Sequence, residues 1–579
     1  MGKRWRHLVA ALTGLGLGLA ALGPGLAPGF VLSYDMVFTP DPAFTPMTFG
    51  LTGTVPRQVP SDAFVTALAT VIPSDAVQKL VLLAIFVMAC MSAASLVPSP
   101  RLLPRLAAGV CYAWNPFVAE RLLLGQWALL LGYAALPWVV ASAVRTCERG
   151  GTRRLVRALV LAAIGGFAAL AMSGLVALVV ALASSRSRGG ERVNGAERLK
   201  GAVRVVGIVV VLSLPWLVPG ALRPAGVPGD GTAVDVFAAR ADTPFGVLGS
   251  LLTLGGIWNG ETVPRGYGTP VLAGFWLAVV LGSLFAYWKW CREPEWRRGA
   301  AVAAAVGFVL AALGAVAPPV LRGAVGLWSG FAVLRDGQQY VAPLAVVVAV
   351  GLGVAADKAI GARFPMIAVG AVAAPVLLLP TLAWGAAGDL RAVRYPADWA
   401  RAREIINSDS APGDVLVLPW ALYRSYPWNH GRRVLDPLPR YLHRRVVVND
   451  ALIVGRTTIP AEDPRAIALA LAAAHPDSAT LRDRDVRYVV VDAETAKYRP
   501  IGAVPVLTGP DLAVYRVDGA KAGHEDRVPA APVIVAWIAA SAVVFWSFLI
   551  PGTTLGLPLL GSIRRRSPDR LPHHSRRAP

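Results

Sequence analysis

The chain is 579 residues long, 55% of them hydrophobic, with a formal net charge of +21. Repeated apolar runs near bilayer length exclude a soluble multidomain protein and indicate a polytopic membrane protein. The positive balance does not call for nucleic acid, because the cytoplasmic loops of membrane proteins collect Lys and Arg.

The first apolar run, 8–31, follows Lys3, Arg4 and Arg6 in the manner of a signal peptide. Pro24 and Pro28 interrupt its end and no clean cleavage site follows, so it reads as a retained first span. The stretch SYDMVFTPDPAFTP, 33–46, comes next and holds the first two acids of the chain, Asp35 and Asp41. A carboxylate just outside a membrane helix, inside a Pro-punctuated loop, suits chemistry at the membrane face. The competing reading places both acids in solvated turns. The second half of this loop, Asp62 to Lys79, is partly amphipathic: Phe64, Val65, Leu68, Val71 and Ile72 can lie on the membrane surface or simply pack a connecting helix.

Further apolar runs lie at 79–97, 103–116, 127–145, 155–170, 173–185, 203–220, 268–289, 299–318, 339–356, 364–386 and 531–550. Residues 155–185 are either one long helix or two short ones split near Met172-Ser173-Gly174. With two, the basic loops around Arg101, Arg145 to Arg154, Arg186 to Lys200, Arg292 to Arg298 and Lys358 to Arg363 all face inward, as the positive-inside rule asks. The expectation is therefore about twelve spans with both termini inside. The tail from Arg564 to Arg577 then acts as a topology anchor on anionic lipid. By this topology Cys90 and Cys111 lie in the membrane and Cys147 and Cys291 in inner loops, which leaves no exported disulfide.

The cores of these runs are almost free of ionisable residues. Ion-coupled transporters usually keep acids or bases near the bilayer midplane, so this argues against a transporter or flippase. The acids and arginines gather instead in outer loops. Glu120 and Arg121 follow the helix breaker Pro116, between Trp114 and Trp127, as a binding feature or as an aromatic belt with a local ion pair. Arg240 lies between Asp235 and Asp242 in an interfacial loop, 235–259. Arg335 precedes Asp336 just before the tenth span. A guanidinium there can hold a lipid phosphate bidentately, or it can pair with its neighbour Asp336. Arg57 and Arg265 are further cations on this side.

The segment 387–530 is charged and alternates helix and strand signals. Helices are expected at 396–408 and 465–475, strands at Val415–Leu418, Val446–Val448 and Tyr488–Val491, and a hairpin at 504–517. This reads as a small α/β domain outside the membrane, tied down by the last helix. The domain plan is thus a multi-span core, 1–386, this outer domain, a final span, 531–550, and a basic tail, 551–579. Trp420, Tyr423, Tyr426, Trp428, His430 and Tyr441 crowd one stretch of it. Such aromatics can stack on sugar rings or pack the domain onto the membrane part. No second His or Cys stands at ligand spacing from His430. No Walker loop, dinucleotide fingerprint, zinc pattern or nucleophile elbow is present.

An acid straight after the first span, many spans, interfacial loop helices and a late outer α/β domain together resemble the GT-C superfamily of integral membrane glycosyltransferases. The segments WNPFVAERLLLGQWALLLGYAALPW and FAVLRDGQQYVAPLA are similar to those of actinobacterial envelope arabinofuranosyl- and mannosyltransferases. The resemblance implies a polyprenyl-phosphate sugar donor and a cell-envelope glycan or glycolipid acceptor at the plasma membrane. It places the catalytic base at Asp35. Many members carry a second acid beside the first, and here Asp41 is six residues away, which leaves the second acid and a divalent cation open. Charge growing on a leaving lipid phosphate calls for nearby cations, and Arg240 and Arg335 are the candidates for donor-phosphate binding, backed by Arg57, Arg121 and Arg265. Acceptor contacts are expected from Glu120, Trp420, Tyr423 and Trp428. A non-catalytic envelope-assembly protein of the same fold is the remaining alternative.

Overall fold

The computed structural model describes residues 3–146, 148, 150–183, 194–223, 231–291, 295–492, 498–521 and 528–549. The basic tail 551–579, Cys147 and several inner-loop arginines lie outside the described residues. Helices occupy every one of the expected apolar runs. Among the described residues eight are long and apolar enough to cross a membrane: Arg4–Leu26, Ser74–Leu96, Gly166–Ala183, Gly195–Ala221, Pro270–Trp290, Arg297–Val316, Gly337–Gly361 and Ala530–Leu549. Pro365–Leu378 and Pro380–Gly388 bend by 60° at a proline-marked break and make a ninth if taken as one span. The other expected spans are shorter helices, Leu102–Ala113, Trp127–Ala143 and Gly151–Ile164. The chain is a multi-pass membrane protein in its architecture, with eight or nine full-length apolar helices among the described residues against the twelve spans expected.

Two helices do cover 155–185, but they part at Gly165–Gly166 and not at Met172-Ser173-Gly174. Gly166 has φ +80°, a conformation that favours glycine, so the chain turns there without a side chain to strain. Met172, Ser173 and Gly174 continue as buried helix. The amphipathic stretch 62–79 is also split, into Ser61–Ala69 and the start of Ser74–Leu96, at Pro73. Gly337–Gly361 is almost wholly buried and stands at the centre of the helical part, whereas Ala530–Leu549 keeps most of its surface outward. Arg157 on Gly151–Ile164 reaches this last helix, donating to the Ser547 carbonyl at 2.7 Å.

The expected elements of the later segment are all present. A five-stranded sheet runs in the order Val504–Thr508, Ala513–Arg516, Val486–Val491, Asp414–Leu418, Val446–Val447. The middle strand Val486–Val491 is parallel to Asp414–Leu418 and antiparallel to Ala513–Arg516. It is an almost unbroken apolar run, as a strand covered on both faces requires. Pro464–Ala474 packs Ala466, Leu469 and Ala473 onto this sheet. The later segment is joined to the membrane part through main-chain bonds outside this sheet. Phe30–Val31, just past the first span, pairs antiparallel with Ala392–Val393. Val415, Val417 and Val490 share one continuous core with the membrane helices.

Candidate functional site

Ser33 to Met36 form a tight turn closed by Met36 N–H to Ser33 O at 2.8 Å, with Tyr34 at φ +47°. The outer segment grips this turn. Tyr34 N–H donates to Arg433 O at 2.7 Å, and Leu435 N–H donates to Tyr34 O at 2.8 Å. Leu435 is the cross-strand partner of Tyr423 in the ribbon Tyr423–Ser425 and Arg433–Leu435. That register delivers the Tyr423 hydroxyl to Asp35 Oδ1 at 2.6 Å. On the other side Asp35 N–H donates to Leu124 O at 3.1 Å. Gln126 Nε2 donates to Asp35 Oδ2 at 3.5 Å, a long bond.

Burial is the main influence on Asp35 and pushes its carboxyl above the usual range. The Tyr423 and Gln126 donors pull it back, as do Arg440 and Arg57 more weakly. Asp35 is thus a loop carboxylate with raised basicity, still partly open at the surface.

Behind Asp35 lies an oriented polar chain. Gln126 accepts from Arg121 through its carbonyl while its amide faces Asp35. Arg121 is fully buried and holds Asp336 bidentately at 2.8 and 3.1 Å. Its second nitrogen also donates to Gln338, whose amide donates to Glu120 Oε2 at 3.2 Å. Glu120 is fully buried, and its Oε1 and Oδ1 of Asp242 are buried without a donor. Burial first, and then the neighbouring Asp242 carboxylate, push Glu120 well above the ordinary range. Among the described residues no three or more His, Cys, Asp or Glu side chains gather as a metal set, so a divalent cation has no ready-made cage of that kind there.

The other expected site residues are placed as follows. Asp41 does not join Asp35: its side chain is 83% exposed and pairs with Arg403 at 3.0 Å. Arg335 does not pair with Asp336, which is taken by Arg121. It sits over the Phe237 ring at 5.2 Å and lies 4.0 Å from Glu462. Glu462 also pairs with Arg57. Arg240 is exposed in the loop that carries Asp242. Arg265 pairs with Asp389 at 2.6 Å. Of the aromatics, Tyr423 alone reaches Asp35. Trp428 stacks with Tyr426 and contacts Trp399 and Tyr395, a packing cluster against the main core. Trp420 packs on the outer sheet. Trp114 and Trp127 are buried inside the protein and form no interfacial belt; Trp114 Nε1 donates to Leu379 O at 2.9 Å.

Gln126, Gln338, Asp242 and Arg440 were not singled out as site residues from sequence. Gln126 lies in the quoted WNPFVAERLLLGQW stretch and Gln338 in FAVLRDGQQY. Their side-by-side placement in space was the missing signal.

A helical membrane part whose acid-bearing first loop is gripped by a strand ribbon of the later segment fits the architecture expected from the resemblance to membrane glycosyltransferases. Two solved structures are similar to this chain in fold: the arabinofuranosyltransferase AftD from mycobacteria, and its R1389S mutant. The chain is 17% identical to the first, with a TM-score of 0.56, over 91% of this chain and 40% of that one. For the mutant the values are 16%, 0.55, 91% and 42%. This chain therefore spans about two fifths of the length of the chains it matches. No family model matches the sequence, and no curated protein matches it.

Proposed function

We infer that this protein is a membrane glycosyltransferase of the cell envelope. In this reading it moves a sugar from a polyprenyl-phosphate donor to an envelope glycan or glycolipid at the outer face of the plasma membrane. Segment 387–530 stands outside the membrane and the termini inside. The observation that carries the reading is the carboxylate of Asp35, raised in basicity by burial and held by Tyr423 soon after the first span, in a fold similar to that of an arabinofuranosyltransferase.

Asp35 takes the proton of the acceptor hydroxyl as the hydroxyl oxygen attacks the anomeric carbon. The bond from that carbon to the phosphate oxygen breaks, the configuration inverts, and polyprenyl phosphate leaves. Charge grows on the leaving phosphate, so cations fixed nearby lower the barrier. Arg57, which acts on Asp35 electrostatically, and Arg335, which shares Glu462 with it, are the first candidates. Arg240 is exposed and free to turn toward a ligand. Buried Arg121, committed to Asp336, serves to position Gln126 and so Asp35.

The test is an in-membrane transfer assay with radiolabelled polyprenyl-phosphate arabinose and mannose, comparing native protein with Asp35→Asn. Transfer that vanishes in a folded, inserted variant supports the base. Undiminished turnover in Asp35→Asn overturns it.

A further inference from the structure

One residue before Asp35, Tyr34 lines a polar cavity of about 430 Å³. That size lies within the range of small-molecule sites. Asp35 itself does not line it, nor do Arg57 and Arg335. The walls carry four arginines, Arg265, Arg391, Arg432 and Arg433, against two carboxylates, Asp389 and Glu261. The balance of these six groups is an excess of two positive charges.

The carboxylates do not use up the cations. Asp389 is shared, 2.6 Å from Arg265 and 4.0 Å from Arg432. Glu261 pairs with Arg433 at 3.4 Å and also accepts from the Tyr34 hydroxyl. Arg391 donates to Gly388 O at 2.8 Å and has no carboxylate partner among the described residues. Arg432 is fixed in place: its Nε donates to Ser33 Oγ at 2.7 Å and its guanidinium lies 5.8 Å from the centre of the Tyr34 ring. Several planar donors lining one volume with surplus charge suit the tetrahedral anionic oxygens of a phosphate.

The position of the cavity indicates where the phosphate comes from. Leu32 enters the lining six residues after the first membrane helix ends, and Gly388 closes the bent pair Pro365–Leu378 and Pro380–Gly388. Both are ends of candidate spans. A cavity set where two such helices end suits a lipid head group.

We propose that this cavity is a second anion site, separate from the cations around Asp35, which holds the phosphate of a lipid head group. Occupancy draws Arg391 and Arg433 together beside Arg432, which holds Ser33, and steadies the turn that carries Asp35.

The test uses the full chain and the double variant Arg391→Gln/Arg433→Gln, both exposed residues whose loss leaves the core intact. Protein in nanodiscs of phosphatidylcholine with graded phosphatidylglycerol is assayed for retained phosphatidylglycerol by mass spectrometry. Detergent-solubilised protein is titrated in parallel with inorganic phosphate. Native protein is expected to enrich phosphatidylglycerol, and the double variant to bind it at least tenfold more weakly. Loss confined to the inorganic phosphate arm assigns the site to free phosphate and overturns the lipid source. Equal binding by native and variant protein in both arms, or no binding by either, overturns the site. Asp35→Asn is expected to bind as native does, so failure of the transferase reading and failure of this one are distinguishable.

Discussion

The hydroxyl of Tyr423 stands 2.6 Å from Asp35 Oδ1, although the two residues are 388 positions apart. The contact joins the loop after the first membrane helix to the Tyr423–Ser425 and Arg433–Leu435 ribbon of the later segment. It ties the basicity of the first loop to the docking of the later segment.

Removing that hydroxyl has a definite sign. Tyr423 donates to the charged form of Asp35 and so lowers its pKa against burial. Tyr423→Phe raises it further. The acidic limb of the pH–rate profile is expected to move to higher pH, with the alkaline plateau changed less. A pH profile of transfer for native protein and Tyr423→Phe measures this, and an unmoved limb counts against Asp35 as the base.

Arg121 and Arg57 are expected to differ in stability cost. Arg121 is fully buried and bidentate to Asp336, whose side chain is 21% exposed. Arg121→Met strands that carboxylate and is expected to cost about 3–5 kcal/mol. Arg57, 43% exposed in its pair with Glu462, makes a surface ion pair worth about 0–1 kcal/mol. Thermal unfolding of the two variants in the same detergent separates them.

Gly125 is a steric gate for the loop. It has φ +79°, and a Cβ there would stand 2.1 Å from Ser33 O and 2.3 Å from Met36 N. Gly125→Ala forces the Asp35 turn away. Backbone strain alone is expected to cost about 1–3 kcal/mol, and transfer should fall further than the melting temperature suggests. Native-like activity would show that the turn can be moved without loss.

A buried ion cluster predicts a pH slope in the outer segment. Arg424 holds Asp436 at 3.0 Å and Asp492 at 3.3 Å. Burial first pushes Asp492 up to about 7; Arg424 opposes this and Asp436 adds to it. The folded state therefore binds the proton more tightly than the unfolded chain, whose Asp titrates near about 4. The contribution of this group is full below that value and is lost as pH rises to about 7. Asp492→Asn should flatten this slope, as thermal unfolding at pH 4.5 and 7.5 would show.

Much of the fold was legible because its signals are local. Apolar runs are set by the bilayer, and strands such as Val486–Val491 declare themselves by composition. Helix ends were less legible. The break at Gly165–Gly166 depends on a positive φ that many glycines never adopt, so sequence pattern does not separate it from Met172-Ser173-Gly174. Arg335 and Asp336 are adjacent in sequence, but their side chains diverge, one to Phe237 and Glu462 and the other to Arg121.

The sequence by itself determined a multi-pass helical protein with a late α/β segment, and it marked Asp35 as the acid of interest. Hydrophobic periodicity and the positive-inside rule act along the chain, so one dimension suffices to read them. Only the tertiary structure decided what surrounds Asp35. It brought Tyr423 and Gln126 to the carboxylate, turned Asp41 away to Arg403, and committed Arg121 to Asp336. Those choices rest on packing and strand register between segments hundreds of residues apart, and no local pattern encodes them.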